Sequence, residues 1–194
     1  MTHKTEIPGS NFKALVIYWS ATGNTATVAR TIEETLEKAQ VDSKLQKIAE
    51  AGNEDFYSYD LVFFGAPPYQ FMAPDPVVRF IKDKMRYHND HGDIKPTAPK
   101  RPGKRAIIFC TYSGPHTGIR EAIPIVKYMG QFFEHIGFTV AGEWYIIGEF
   151  HNNEVNSTQG VLGDIRGRPD KKDLAKVRRD VNKIIRQIRS SSAS

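Results

Sequence analysis

The chain has 194 residues, 40% of them hydrophobic and 25% charged, a composition that suits one globular domain with its own core. Its net charge of +5 is local, since residues 82–105 carry +5, residues 164–189 carry +6, and all the others together carry −6. No apolar run reaches the roughly 18 residues of a membrane span, no signal-type apolar segment follows the N-terminus, and the lone cysteine, Cys110, excludes an internal disulfide, a Cys-x-x-Cys zinc knuckle and a cysteine-ligated iron–sulfur cluster.

These exclusions make the expected location cytoplasmic and assign any redox chemistry to a bound organic cofactor. The basic charge falls on a Pro/Lys-rich segment at 82–105 and on a C-terminal helix, without a helix-turn-helix, zinc-finger or aromatic-basic signature, so no nucleic-acid partner is expected. Residues 1–11 read as an N-terminal extension, 12–189 as the domain, and 190–194 as a Ser-rich frayed tail.

Along the domain the apolar pattern alternates between two periods. KALVIYW (13–19) is a near-continuous β-branched and aromatic run, the pattern of a strand buried on both faces. Residues 25–39 place Val28, Ala29, Ile32 and Leu36 at helical spacing. SKLQKIA (43–49) alternates like an edge strand, YDLVFFGAP (59–67) is a second buried strand, and PDPVVRFIKDKM (74–85) predicts a helix with Pro76 in its first turn. RAIIFCTY (105–112) is a third central strand. Residues 118–136 predict a helix presenting Ile119, Ile123, Val126, Met129, Phe133 and Ile136, and FTVAGEWYIIGEF (138–150) returns as a strand. The last helix starts at Asp170 with Asp173 three residues on, a capping-box-like pair, and continues through Leu174, Val177, Val181, Ile184, Ile185 and Ile188.

Strand and helix thus alternate five times, which predicts an α/β doubly wound three-layer sandwich with a five-stranded parallel sheet and right-handed crossovers. Ligands in such sheets bind beyond the carboxyl ends of the strands, where strand order reverses. Ser20-Ala21-Thr22-Gly23-Asn24-Thr25 falls at that position, between the first strand and the first helix. The helix start offers unpaired N–H groups and a positive dipole end, Gly23 allows a close bend, and Ser20, Thr22, Asn24 and Thr25 add donors without a cation. A nucleoside triphosphate loop requires Gly-Lys-Ser/Thr and a dinucleotide turn requires three glycines. A phosphate monoester held by dipoles alone fits what remains.

The corner resembles the phosphate loop of the flavodoxin family, [ST]-x-T-G-x-T directly after the first strand. The resemblance covers roughly residues 12–189 and implies strand order 2-1-3-4-5, FMN as cofactor and two loops flanking the flavin ring. One would be Pro67-Pro68-Tyr69-Gln70-Phe71; the other would be Thr111-Tyr112-Ser113-Gly114 with Gly118. Tyr69 and Tyr112 are the stacking candidates, and the N–H groups freed by Gly114 and Gly118 the candidates for the ring's polar edge. His116, inside the second loop, is a candidate proton donor; capping the following helix is its plainer role.

The chain departs from family carriers in being basic and in having no glycine in PPYQFMAPDP, where carriers often keep one beside the flavin. Both departures lean toward an NAD(P)H-dependent FMN or quinone reductase. The alternatives are an electron carrier serving a redox partner protein and a non-catalytic module using its basic helix; a homo-oligomer is possible in each case. Cys110 reads as a small buried hydrophobe, and His88 and His91 lack companion ligands, so no metal is expected. The long connection 151–170, ending in Arg166 and Arg168, is expected to fold over the flavin edge or to meet a neighbouring subunit.

Overall fold

The computed structural model describes residues 12–191. The expected extension at 1–11 and residues 192–194 of the expected tail lie outside the described residues, and the last helix runs two residues beyond the 189 boundary, to Ser191.

Five strands form one parallel sheet in the order β2-β1-β3-β4-β5. They are β1 Lys13–Tyr18, β2 Asp42–Lys47, β3 Leu61–Gly65, β4 Arg105–Tyr112 and β5 Thr139–Ile147. Helices α1 Asn24–Lys38, α2 Asp75–Asp90, α3 Ile123–His135 and α5 Lys171–Ser191 connect and cover them, with a short α4 at Glu154–Thr158. The three central strands are buried on both faces because their alternate residues enter two cores. Leu15, Ile17, Val62, Phe64, Ala106, Ile108 and Cys110 face α2 and α3 with Phe132 and Phe133. Ala14, Val16, Leu61, Phe63, Ile107 and Phe109 face α1 and α5 with Val28, Ile32, Val181 and Ile185. This period-2 division explains why their sequences read as continuous apolar runs. Gly65 ends β3 against the Phe109 ring, where an added Cβ would lie 2.1 Å from ring carbons.

Three element boundaries differ from expectation by three residues or more. Helix α2 continues to Asp90, five residues beyond the expected end at Met85, so residues 86–90 of the basic segment are also helical. Residues Gly118–Glu121 form a 3-10 turn, and α3 proper starts at Ile123 with Pro124 in its first turn. That change of phase leaves Ile119 43% and Ile123 38% exposed, and the buried stripe is Ile125, Val126, Met129, Phe132, Phe133 and Ile136. Strand β5 stops at Ile147, which releases residues 148–150 to the carboxyl end of the sheet.

Helix α5 begins as its sequence predicts. The Asp170 carboxylate accepts from Lys172 N at 2.8 Å and Asp173 N at 2.9 Å, while Asp173 accepts from Asp170 N at 2.9 Å. This reciprocal pair satisfies three donors that the first turn cannot bond internally.

Candidate functional site

The carboxyl ends of β1, β3, β4 and β5 open onto one cavity of about 530 Å³. Four segments line it, each following a strand.

The first is the corner after β1, which contributes Ser20, Ala21, Thr22, Asn24 and Thr25. Gly23 caps α1 with φ 107°, a conformation that side chains disfavour, and no side chain caps the helix. The first helical main-chain bond runs from Thr27 N to Gly23 O at 2.9 Å, so the N–H groups of Asn24, Thr25 and Ala26 precede the ladder. Ser20 Oγ accepts from Gly23 N at 3.1 Å, which pins the bend and leaves its own proton free to donate; it is not a helix cap. Thr22 is exposed. Thr25 and Asn24 have structural partners. The Thr25 and Thr111 hydroxyls are buried 2.7 Å apart, tying the corner to the end of β4. Asn24 Nδ2 donates to Glu149 O at 2.9 Å, which ties the corner to the segment after β5 and uses one of its two amide protons.

After β3, Pro67, Pro68, Tyr69 and Gln70 line the cavity, whereas Phe71 is not part of the lining and is 54% exposed. Tyr69 and Met72 exchange main-chain bonds of 2.9 and 3.0 Å around Gln70 and Phe71, whose φ values are 48° and 70°. The φ signs are those of a type I′ turn, here made without glycine. The Tyr69 ring stands edge-on to Trp19 at 5.4 Å. Trp19, the residue after β1, lines a neighbouring cavity of about 420 Å³ that shares Tyr69 and Gln70 with the first. Its sequence reads as the end of a strand, which hid this position.

At the end of β4, Thr111, Tyr112 and Ser113 line the cavity. Burial pushes the Tyr112 phenol up, reinforced by Cys110 and opposed by Arg168. Ser113 Oγ donates to Gly148 O at 2.8 Å. The rest of this loop turns elsewhere. Gly118 N donates to Gly114 O at 3.0 Å, and a Cβ on Gly114 would lie 2.5 Å from Gly118 O, so these glycines close a turn outside the cavity lining. His116 N and Thr117 N donate to Glu121 Oε1 at 2.8 and 2.6 Å, and the exposed His116 also lies outside the lining. The N–H groups of His116, Thr117 and Gly118 thus have partners within the loop, and Gly114, His116 and Gly118 stand outside the cavity lining.

The fourth segment is Glu149, Phe150 and His151; the sequence hides the first two by carrying the strand through residue 150, whereas His151 opens the 151–170 connection expected to fold over the flavin edge or to meet a neighbouring subunit. The signal that finds it is the same rule that finds the others, position at the carboxyl end of a strand. Beyond it, residues 151–170 are a packed excursion. Ser157 Oγ bonds Phe150 N and O, each at 3.0 Å, Val161 N donates to Pro115 O at 3.0 Å, and Ile165 is buried. Arg166 pairs with Asp164, and Arg168 pairs with Asp173, so neither guanidinium lines the cavity.

The lining fits FMN by its donor set. An uncapped helix start with two free hydroxyls and neither Lys nor Arg among the lining residues suits a phosphate monoester. Tyr69, Tyr112 and Phe150 supply apolar faces for a planar ring.

Cys110 is fully buried, and burial pushes its thiol up, as suits a core residue. His88 Nδ1 bonds Asp93 at 2.9 Å and His91 Nδ1 bonds Tyr87 O at 2.7 Å, so the two rings serve separate partners. Among the described residues no helix is long and apolar enough to cross a membrane.

The sequence model of the Flavodoxin family matches residues 16–173. A flavodoxin of Maridesulfovibrio salexigens is 37% identical over 156 residues, covering 78% of this chain and 97% of that protein. Among solved structures, flavodoxin 2 of Bacillus cereus superposes with a TM-score of 0.63 at 17% identity, covering 90% of this chain and 99% of the other. A flavodoxin from the domain Archaea gives 0.61 at 17% identity, covering 91% and 98%. Fold, corner and sequence match agree: the chain belongs to the flavodoxin family, whose cofactor is FMN.

Proposed function

We propose that the chain binds FMN in the cavity at the carboxyl ends of β1, β3, β4 and β5 and carries electrons between redox partner proteins. The observation that carries this reading is the uncapped, cation-free start of α1 at Gly23, opening into a cavity with aromatic walls. Bound there, FMN supplies the electron chemistry. The N–H groups at the start of α1 and the hydroxyls of Ser20 and Thr22 hold the phosphate. Thr25 and Thr111 fix the corner against β4, and Tyr69 and Tyr112 wall the ring and limit its contact with water. The match along 97% of a flavodoxin's length supports a carrier.

A second reading, an NAD(P)H-dependent flavin or quinone reductase, is favoured by one feature. The cavity beside Trp19 and Tyr69, about 420 Å³, offers an acceptor or nicotinamide a place next to the ring site. In neither reading does His116 have a catalytic part. Anaerobic reduction of the FMN-loaded protein separates the two. The carrier reading expects NADPH to leave the flavin absorbance unchanged and dithionite to bleach it; rapid bleaching by NADPH would establish the reductase. A protein that stays colourless after soaking with FMN would leave only the interaction module.

A further inference from the structure

His151 stands 127 positions from Asn24 in sequence, yet its Nε2 lies 3.1 Å from Asn24 Oδ1 on the cavity wall. The geometry fixes its proton. Asn24 Nδ2 already donates to Glu149 O, so Oδ1 is an acceptor only and Nε2 must be the donor. In the neutral ring Nδ1 is then bare, and it makes no hydrogen bond among the described residues. Half-buried His151 is also the one cavity-lining side chain able to carry a positive charge.

Resting on the FMN reading above, we propose that His151 is the charge partner of the cofactor's phosphate, and that binding FMN places a proton on His151 Nδ1. A bare Nδ1 beside phosphate oxygens would set lone pair against lone pair; the imidazolium gives a charge-assisted donor instead. The proton comes from solvent and stays on the ring, with Nε2–H still held by Asn24. Gly148 keeps this clamp possible, because a Cβ there would lie 2.7 Å from Asn24 Nδ2.

The surroundings add both signs of charge. On its own segment lies Glu149, whose carboxylate accepts from Gly167 N at 2.8 Å. Glu154 opens α4, and the segment packed on Glu149 carries Asp164 with Arg166, and Arg168 with Asp173. Tyr69 and Tyr112 stand on the cavity's other walls, and α1 presents only the neutral Asn24 and Thr25. The chain therefore answers at its fourth loop the charge that its first corner leaves unmatched.

Titration calorimetry with FMN and with riboflavin, in buffers of different ionisation enthalpy, tests this on wild type, His151→Gln and His151→Ala. Gln keeps an amide donor for Asn24 but cannot be protonated. The expected result is proton uptake with FMN but not riboflavin in wild type, and none with FMN in His151→Gln. FMN affinity should fall roughly tenfold in His151→Gln with riboflavin affinity unchanged. Equal losses for both ligands, or the same proton uptake in wild type and His151→Gln, would overturn the inference and leave FMN binding intact. Failure of wild type to bind FMN would overturn the reading beneath it.

Discussion

Thr22 and Thr25 occupy neighbouring turns of one motif and do different things. Thr25 is 1% exposed and shares its hydroxyl with Thr111, whereas Thr22 is open to the cavity. Thr25→Val leaves the Thr111 hydroxyl buried without a partner and is expected to cost about 1–3 kcal/mol of stability. Thr22→Val is expected to change stability by less than about 0.5 kcal/mol and to weaken FMN roughly tenfold. Denaturant unfolding and FMN titration of both variants check the pair; a destabilised Thr22→Val beside an unchanged Thr25→Val would reverse the assignment. The motif names both residues, but a sequence cannot reveal that one of its hydroxyls faces a strand 86 positions away.

Helix α5 illustrates an element written wholly in its own sequence, because cap, stripe and solvent face all lie within one segment. Backbone N–H groups of Asp173 and Lys172 hold the Asp170 carboxyl below the ordinary aspartate range. A depressed carboxyl contributes stability that is complete above the unfolded aspartate value, about pH 4, and fades as pH falls through the lower folded value. Protection of the Lys172 and Asp173 amides, their exchange taken relative to an unstructured chain at the same pH, should therefore fall below about pH 4, and Asp170→Asn, a cap that does not titrate, should flatten the response. Protection that stays constant as pH falls through this range in the natural protein would contradict this account of the cap. Helix α2 is the opposite case. Its sequence pattern ends near Met85, yet the helix continues because Lys84 and His88, 6% and 2% exposed, occupy the core face. Lys84 Nζ donates to Glu54 O at 2.6 Å and lies over the Phe56 ring, and His88 bonds Asp93. Apolar periodicity is blind to polar residues that are buried because they find such partners.

At the scale of the molecule, strand–helix alternation carried the architecture, since parallel strands buried on both faces allow few other arrangements. The site was legible where it is local. Ser20 to Thr25 and Pro67 to Gln70 each follow a strand whose end the sequence marks. It was not legible where chain closure makes it, as at Asn24 with Glu149 and His151. The loop after β4 is held by contacts that no local pattern announces, with His116 N and Thr117 N donating to Glu121 and Gly118 N to Gly114 O.

The central claim is that an uncharged helix start grips a phosphate monoester, and comparing FMN with riboflavin on the same folded apoprotein tests it directly. The two ligands share the ring and differ by the phosphate. The account predicts a one-to-one complex with FMN at least about a hundredfold tighter than with riboflavin, as several charge-assisted hydrogen bonds require. Equal affinities, or no uptake of FMN, would contradict it.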